Sequence, residues 1–378
     1  MLLGMITKKI LDFDHQLSRI FGEFINPHEY DTRENLDGKY DIIFCHRDSV
    51  QDDFQSIKPY CNSDTKVIVD ITTESGNLQI FLDKFKNLTD IEKFQFYLIV
   101  DTDLSNYKNQ IDLKYIVLDG FDLVFYAFLN NSSDNFLDNK NEIFANKHGF
   151  LSLNNSCRIH RVVLLLNLIK RNISLENCSF LFSTGGPNGS KFDSNVYNDT
   201  INELHIDGLI TDTDLSILKA IHVPINLDYD LNKHTYIINR INNVYSPIIN
   251  LVTENVMGMT KGDISPYELI TFTEKIIKPF LAKQIPLFIA LPGLQTELRK
   301  MGFDLFDDVI DKTYESVIDG ATKINLILDE LEILLKMDLV EFKNKNSVRF
   351  QNNYDLLYTL SKSGENKIKS FLYDKILK

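Results

Sequence analysis

Along the first third of the chain, short apolar runs alternate with polar stretches: Tyr40-Asp41-Ile42-Ile43-Phe44, Lys66-Val67-Ile68-Val69-Asp70, Phe96-Tyr97-Leu98-Ile99-Val100 and Leu123-Val124-Phe125-Tyr126. Each run has strand length and β-branched or aromatic content, and the first three end in a polar loop. Strands alternating with polar helical stretches predict a parallel sheet with crossover helices. Between Asn130 and Lys147 the chain turns rich in Asn, Asp and Ser, which reads as a linker or surface loop. Beyond it the alternation resumes, with a strand at 150–153, a helix at 158–171 and a strand at 179–183. Residues 184–243 are polar and poorly periodic. Pro247-Ile248-Ile249-Asn250-Leu251-Val252-Thr253-Glu254 reads as another strand. Ser265-Pro266-Tyr267-Glu268 combines an N-cap Ser, Pro at the first helical position and a capping-box Glu, and so predicts a helix start. A strand at 286–291, a Pro292-Gly293 turn and a helix at 294–301 closed by Gly302 follow. From Ile324 onward apolar positions recur at helical spacing, without sustained heptads, so helices are expected to close the fold.

This pattern predicts an α/β protein of two Rossmann-like domains, at 1–145 and 146–325, with a C-terminal helical segment at 326–378. The length of 378 residues agrees, since a chain of this size divides into about two domains. No stretch approaches the roughly 18 apolar residues of a membrane span. The opening Met1-Leu2-Leu3-Gly4-Met5-Ile6 meets Lys8 and Lys9 too soon for the apolar core of a secretory signal, so a soluble, cytoplasmic protein is expected.

Four cysteines (Cys45, Cys61, Cys157, Cys178) form no CxxC pair, and eight histidines form no HxH or HxxxH cluster. That spacing argues against structural zinc and for cysteines that act as small buried hydrophobes. The net charge of −13 disfavours an extended DNA-binding surface but leaves room for a local basic pocket. The bias to Asn, Ile, Lys and Asp, with no Trp, suggests an AT-rich source, phage or bacterial. Ser183-Thr184-Gly185-Gly186-Pro187-Asn188-Gly189-Ser190 lacks the ending of a P-loop and the spacing of a dinucleotide fingerprint, and is read as a surface turn. The Asp-rich stretch 207–214 is read as solvated.

The most informative chemistry lies at Phe272-Thr273-Glu274-Lys275. If Thr273 caps a helix, Glu274 and Lys275 fall in its first turn beside unpaired backbone N–H groups, a setting suited to phosphate. Pro279, six residues after Thr273, fits badly with a straight helix. Asn154, Asn155 or Ser156 could cap a second helix whose start carries Arg158 and Arg161.

The Thr-Glu-Lys triplet, the apolar and basic stretch after it and the Pro-started strand resemble the donor-binding motif of fucosyltransferase-type GT-B glycosyltransferases. The block Phe150-Leu151-Ser152-Leu153-Asn154 with Arg158, His160 and Arg161 is similar to the opening of the donor domain in phage and bacterial relatives. Asn250-Leu251-Val252-Thr253-Glu254 is similar to the strand end that precedes their motif. The likeness extends over most of residues 150–360, including Arg349-Phe350-Gln351-Asn352-Asn353-Tyr354. Lys278-Pro279 departs from the more usual continuation, which leaves the donor sugar open.

The resemblance implies two Rossmann-like domains facing a cleft, with the nucleotide-sugar donor held by the second domain. Its site residues there would be Asn154, Arg158, Arg161, Glu254, Thr273, Glu274 and Lys275. Glu274 would contact the ribose and Lys275 the diphosphate, while Glu254 would line the sugar pocket. Arg158, Arg161 and Lys275 would stabilise the leaving diphosphate as a metal does in other transferases, so no metal or other cofactor is expected and inversion is the expected course. The acceptor is a glycan or another hydroxyl compound; a modified DNA base is disfavoured by the acidic balance. The first domain would supply a carboxylate base. In Val69-Asp70-Ile71-Thr72-Thr73-Glu74, at the end of a strand, Glu74 is chosen over Asp70.

Two readings compete. The strand running into Asp101-Thr102-Asp103 could hold a divalent metal, as in GT-A glycosyltransferases, although Asp212-Thr213-Asp214 repeats the same tripeptide. A two-domain protein that closes on a nucleotide or sugar without reacting needs no base at all.

Overall fold

The apolar runs become the strands of two sheets, both parallel throughout. A computed structural model describes residues 10–12, 31–32, 38–46, 57–70, 95–100, 117–119, 145–183, 192–225, 245–254, 259, 273–371 and 374. The strand expected at 123–126, the helix start at Ser265 and the Gly185-Gly186 turn lie outside the described residues. The chain divides into two compact units. One comprises Met1–Leu129, Pro266–Phe272 and Thr359–Lys378; the other comprises Asn130–Ser265 and Thr273–Tyr358.

The first unit holds β1 (Ile10–Asp12), β2 (Asp31–Thr32), β3 (Ile42–His46), β4 (Lys66–Asp70), β5 (Gln95–Val100) and β6 (Val117–Asp119). Their order in the sheet is β2-β1-β3-β4-β5-β6. Ile42, Ile43, Phe44 and Cys45 of β3 and Val67, Ile68 and Val69 of β4 are all buried. Consecutive buried residues mean that both faces of these strands are covered, as parallel sheets require. Leading into β4, Thr65 donates its hydroxyl to the Tyr40 carbonyl at 2.7 Å and accepts from the Asn62 N–H at 2.8 Å. One buried threonine thereby satisfies the backbone of the turn and fixes where β4 begins.

The second unit is built on β7 (Lys147–Ser156), β8 (Cys178–Ser183), β9 (Pro247–Thr253) and β10 (Ile285–Ile289), in the order β10-β9-β7-β8. Its helices are α1 (Ile159–Lys170), α2 (Ser194–Ile206), α3 (Asp212–Ala220), α4 (Glu274–Leu281), α5 (Leu294–Lys300), α6 (Gly320–Leu335) and α7 (Leu339–Lys345), with α8 (Ser347–Phe371) as far as Tyr358. Eight of the twelve residues of α1 are buried, because it packs against α6 as well as α2 and α3, and among its described residues only Lys170 is exposed. Arg171 at its end bonds Asp329 at 2.6 Å and Glu332 and Asn325 at 3.2 Å, which ties α1 to α6. Helix α6 starts at Gly320, so the boundary expected at 325/326 falls within it.

Several local expectations are corrected. Residues 194–220, read as poorly periodic, form α2 and α3; their apolar residues Tyr197, Ile201, Leu204 and Leu218 are spaced for one narrow buried stripe each. The 207–214 stretch is not wholly solvated. Asp214 closes a capping box with Thr211 at the start of α3, is buried, and pairs with Lys170 at 2.8 Å. Helix α4 runs through Pro279. The proline has no N–H, so it removes one i→i−4 hydrogen bond without ending the helix. Cys45, Cys61 and Cys178 are buried, whereas Cys157 is half-buried against the Thr200 hydroxyl at 3.4 Å.

Candidate functional site at the carboxyl edge of the second sheet

Strand order in the second unit reverses between β7 and β9. The chain passes from β7 through α1 to β8 on one side, and from β9 through α4 to β10 on the other. Crossovers in opposite directions from a reversal of this kind set their helices on opposite faces as a rule, and open α/β sheets take ligands at the carboxyl ends of the strands there, here β7 and β9. The residues that matter are those ending these two strands and starting the two helices.

A buried relay of hydrogen bonds stitches the strand ends together. Ser152 donates to the Leu251 carbonyl at 3.1 Å, the Asn154 amide donates to Ser152 Oγ at 3.0 Å, and Thr253 donates to Asn154 Oδ1 at 2.7 Å. These polar groups are buried but mutually satisfied, so they fix the relative height of β7 and β9 at little desolvation cost. Asn154 is therefore a strand-positioning residue whose amide faces inward. It does not cap α1: β7 continues to Ser156, and the N-cap of α1 is Arg158, which makes no side-chain cap bond. Four residues, 155–158, separate the amide from the first residue of the helix.

Past β9, Glu254 is buried and serves three partners at once. Its N–H donates to the Ile289 carbonyl at 2.9 Å, its own carbonyl accepts from His160 Nε2 at 2.9 Å, and its carboxylate accepts from the Thr273 hydroxyl at 2.8 and 3.0 Å. Thr273 is the N-cap of α4 and takes the Lys275 N–H at 3.3 Å on the same oxygen. One hydroxyl thus joins the end of β9 to the start of α4. A threonine suits this position because its side chain both accepts from the helix and donates to the carboxylate.

His160, in the first turn of α1, is fully enclosed. Burial, then the neighbouring Arg161, with Arg158 and Lys275 adding to it, draws its pKa down to about 3, so the ring is neutral. Donation to a carbonyl places the proton on Nε2 and leaves Nδ1 as the acceptor. Arg158, Arg161 and Lys275 all act on this one ring, so the three cations lie within electrostatic range of it. Arg161 is buried and donates from Nη1 to the Ser156 carbonyl at 3.2 Å; Arg158 is exposed and Lys275 half-buried. The N-termini of α1 and α4, each with a partial positive charge, follow β7 and β9 in the chain and carry these cations in or beside their first turns. The arrangement can hold a polyanion. It is suited to phosphate groups in particular, since donors and charges come from several directions.

The sequence-expected residues Asn154, Arg158, Arg161, Glu254, Thr273 and Lys275 therefore come together at one sheet edge. Glu274 is the first residue of α4. Glu74 lies outside the described residues, as do Asp101 and Asp103. Asp70 ends β4 in register with His46 of β3, at the carboxyl edge of the first sheet. Among the described residues, no group of three or more His, Cys, Asp or Glu side chains is arranged to hold a metal ion.

Sequence reasoning assigned no role to Ser152, Thr253 or His160. A signal for the first two was present: polar residues at strand positions otherwise filled by buried apolar ones, with Ser152 and Asn154 two apart on one face. Compared with protein-family models, curated proteins and solved structures, the chain matches none.

Proposed function

We propose that this protein is a glycosyltransferase of GT-B type that binds the nucleotide-diphosphate sugar on its second unit and transfers the sugar to an acceptor hydroxyl without a metal. The observation that carries the reading is the convergence of Arg158, Arg161, Lys275 and two helix N-termini on the strand-order reversal, beside the buried Glu254–Thr273 pair. These are the residues of the Thr-Glu-Lys resemblance, and their grouping supports that resemblance because the chemistry needs such a grouping.

Loss of a nucleoside diphosphate builds charge on the departing phosphate oxygen. In this reading Arg158 and Lys275 neutralise it, and Arg161 adds to the positive potential. Glu274, at the start of α4, takes the ribose hydroxyls. Glu254 is held ready by Thr273 and His160, and its carboxylate accepts from sugar hydroxyls while the neutral His160 ring keeps its backbone in place. The attacking hydroxyl needs a base, and a carboxylate of the first unit, Glu74, is the candidate for it.

The test incubates the full-length protein with EDTA and a panel of nucleotide sugars and measures nucleoside diphosphate release. Release can proceed by slow hydrolysis without the natural acceptor. Release from one donor, reduced about a hundredfold or more in Lys275→Ala and Glu274→Ala, is the expected result. Dependence on Mn²⁺ or Mg²⁺ and on Asp101 and Asp103 would instead establish the metal-dependent reaction, and donor binding without turnover under any acceptor would establish a binding protein.

A further inference from the structure

At the opposite, amino-terminal edge of the same sheet lies a second pocket, of about 370 Å³. It is roughly 20 Å or more from the strand ends described above, given the rise of about 3.3 Å per residue along β7. Ile248 of β9, Val348 and Phe350 of α8 form its apolar wall, and Asn344 and Ser347 its polar one. Two lysines, Lys283 and Lys343, enter it.

Both lysines sit where a lysine is costly. Lys343 is buried, donates to the Ala145 carbonyl and lies 5.4 Å from the centre of the Phe350 ring. Among the described residues no carboxylate pairs with it, and the charged group that acts on it is another cation, Lys283. An ammonium has three donors, and one acceptor leaves two for something else. Burial, with Lys283 beside it, draws its pKa down to about 7, as befits a cation enclosed without an anion. Lys283 follows α4 with a φ of +53°, closing the helix through the Lys283 N–H to the Phe280 carbonyl and the Gln284 N–H to the Pro279 carbonyl. That left-handed position favours Gly or Asn, so a lysine there gives up backbone stability to hold its charge at this place. Its Nζ lies 5.1 Å from the centre of the Tyr354 ring, which directs the chain along α8.

We propose that this pocket binds a small ligand bearing an oxyanion, a phosphate or a carboxylate, seated between Lys283 and Lys343, with its apolar portion against Ile248, Val348 and the Phe350 ring. The anion supplies the acceptors and the counter-charge that Lys343 lacks, and the apolar wall selects an organic anion over an inorganic one. The site is independent of the proposed donor site, being on the other edge of the sheet.

Calorimetric titration of the full-length protein with phenyl phosphate and with benzoate, without any nucleotide sugar, tests this. Binding of at least one probe is expected, with a Kd on the order of 1 mM or tighter, and the tighter of the two identifies the anionic group. Lys343→Met, which fills the same volume without charge, and Lys283→Asn, which retains the left-handed helix end, should each weaken it about tenfold or more. Should Lys343→Met fail to fold, Lys283→Asn alone decides. Lys275→Ala should bind the probe unchanged. The proposal is overturned if neither probe binds, if the folded variants bind like wild type, or if Lys275→Ala removes the binding and so places the probe in the other site.

Discussion

His160 and Thr273 show how single side chains set the properties of the crevice. Thr273 uses one oxygen twice, accepting from α4 and donating to Glu254. His160 is neutral because its ring is deprived of water and Arg161, Arg158 and Lys275 act on it, while its Nε2 bonds the Glu254 carbonyl. A histidine held well below its unfolded pKa of about 6.5 makes stability depend on acid. Between pH about 6.5 and about 3 the unfolded chain binds a proton that the folded chain refuses, so the folded state loses ground as pH falls through that window. Urea titrations at a series of pH values should show this decline, and His160→Gln, which has no proton to gain, should show a shallower one. An equal decline in both proteins would mean that the carboxylates, not His160, govern the acid limb.

At the scale of elements, helix ends carry much of the definition of the second unit. Helices α1, α2, α4 and α5 all finish with the same pair of backbone bonds, and the residue that follows the cap takes a positive φ: Asn172, Gly208, Lys283 and Gly302. Three of the four have the residue types that tolerate this conformation; Lys283 is the exception, which is what singles it out. Gly302 has φ +100°, and a Cβ there would come within 3.4 Å of the Leu356 side chain. Gly302→Ala should therefore destabilise the protein by about 1–2 kcal/mol in chemical denaturation, chiefly through backbone strain. Beyond this helix end, Arg299 bonds Asp307 and Glu315, and Arg349 bonds Asp304 and Asp308, so the irregular segment after α5 is held by two arginines in place of regular structure.

For the molecule as a whole, the net charge of −13 and the basic crevice are opposed, and a ligand that bridges the cations should report it. A nucleoside diphosphate bound at a hundred times its Kd adds about 2.7 kcal/mol to the stability of whatever unfolds with its site. Its expected effect is a rise of several degrees in the thermal midpoint, diminishing as salt increases from about 0.05 to 0.5 M, because exposed Arg158 and half-buried Lys275 are open to screening. No rise with any nucleoside diphosphate at low salt would count against the proposed donor site.

By itself the sequence determined the α/β class, most of the described strands, α1 and the cap of α4 at Thr273, because each rests on a local signal. A continuous apolar run such as Ile42–Phe44 is readily stable only when covered on both faces, and a threonine before an apolar-basic stretch favours a helix cap. Helices α2 and α3 were hidden because each buries only a narrow stripe amid many polar residues. What only the tertiary structure decided are relations between residues distant along the chain. The pairing of Thr253 with Asn154 and of His160 with Glu254, across 99 and 94 residues, follows from strand order, which periodicity does not encode. The inward turn of Asn154 and the enclosure of His160 likewise depend on which elements pack beside them. So does the burial of Lys343 against Ala145, since a lysine on an amphipathic helix reads as solvated until another element covers it.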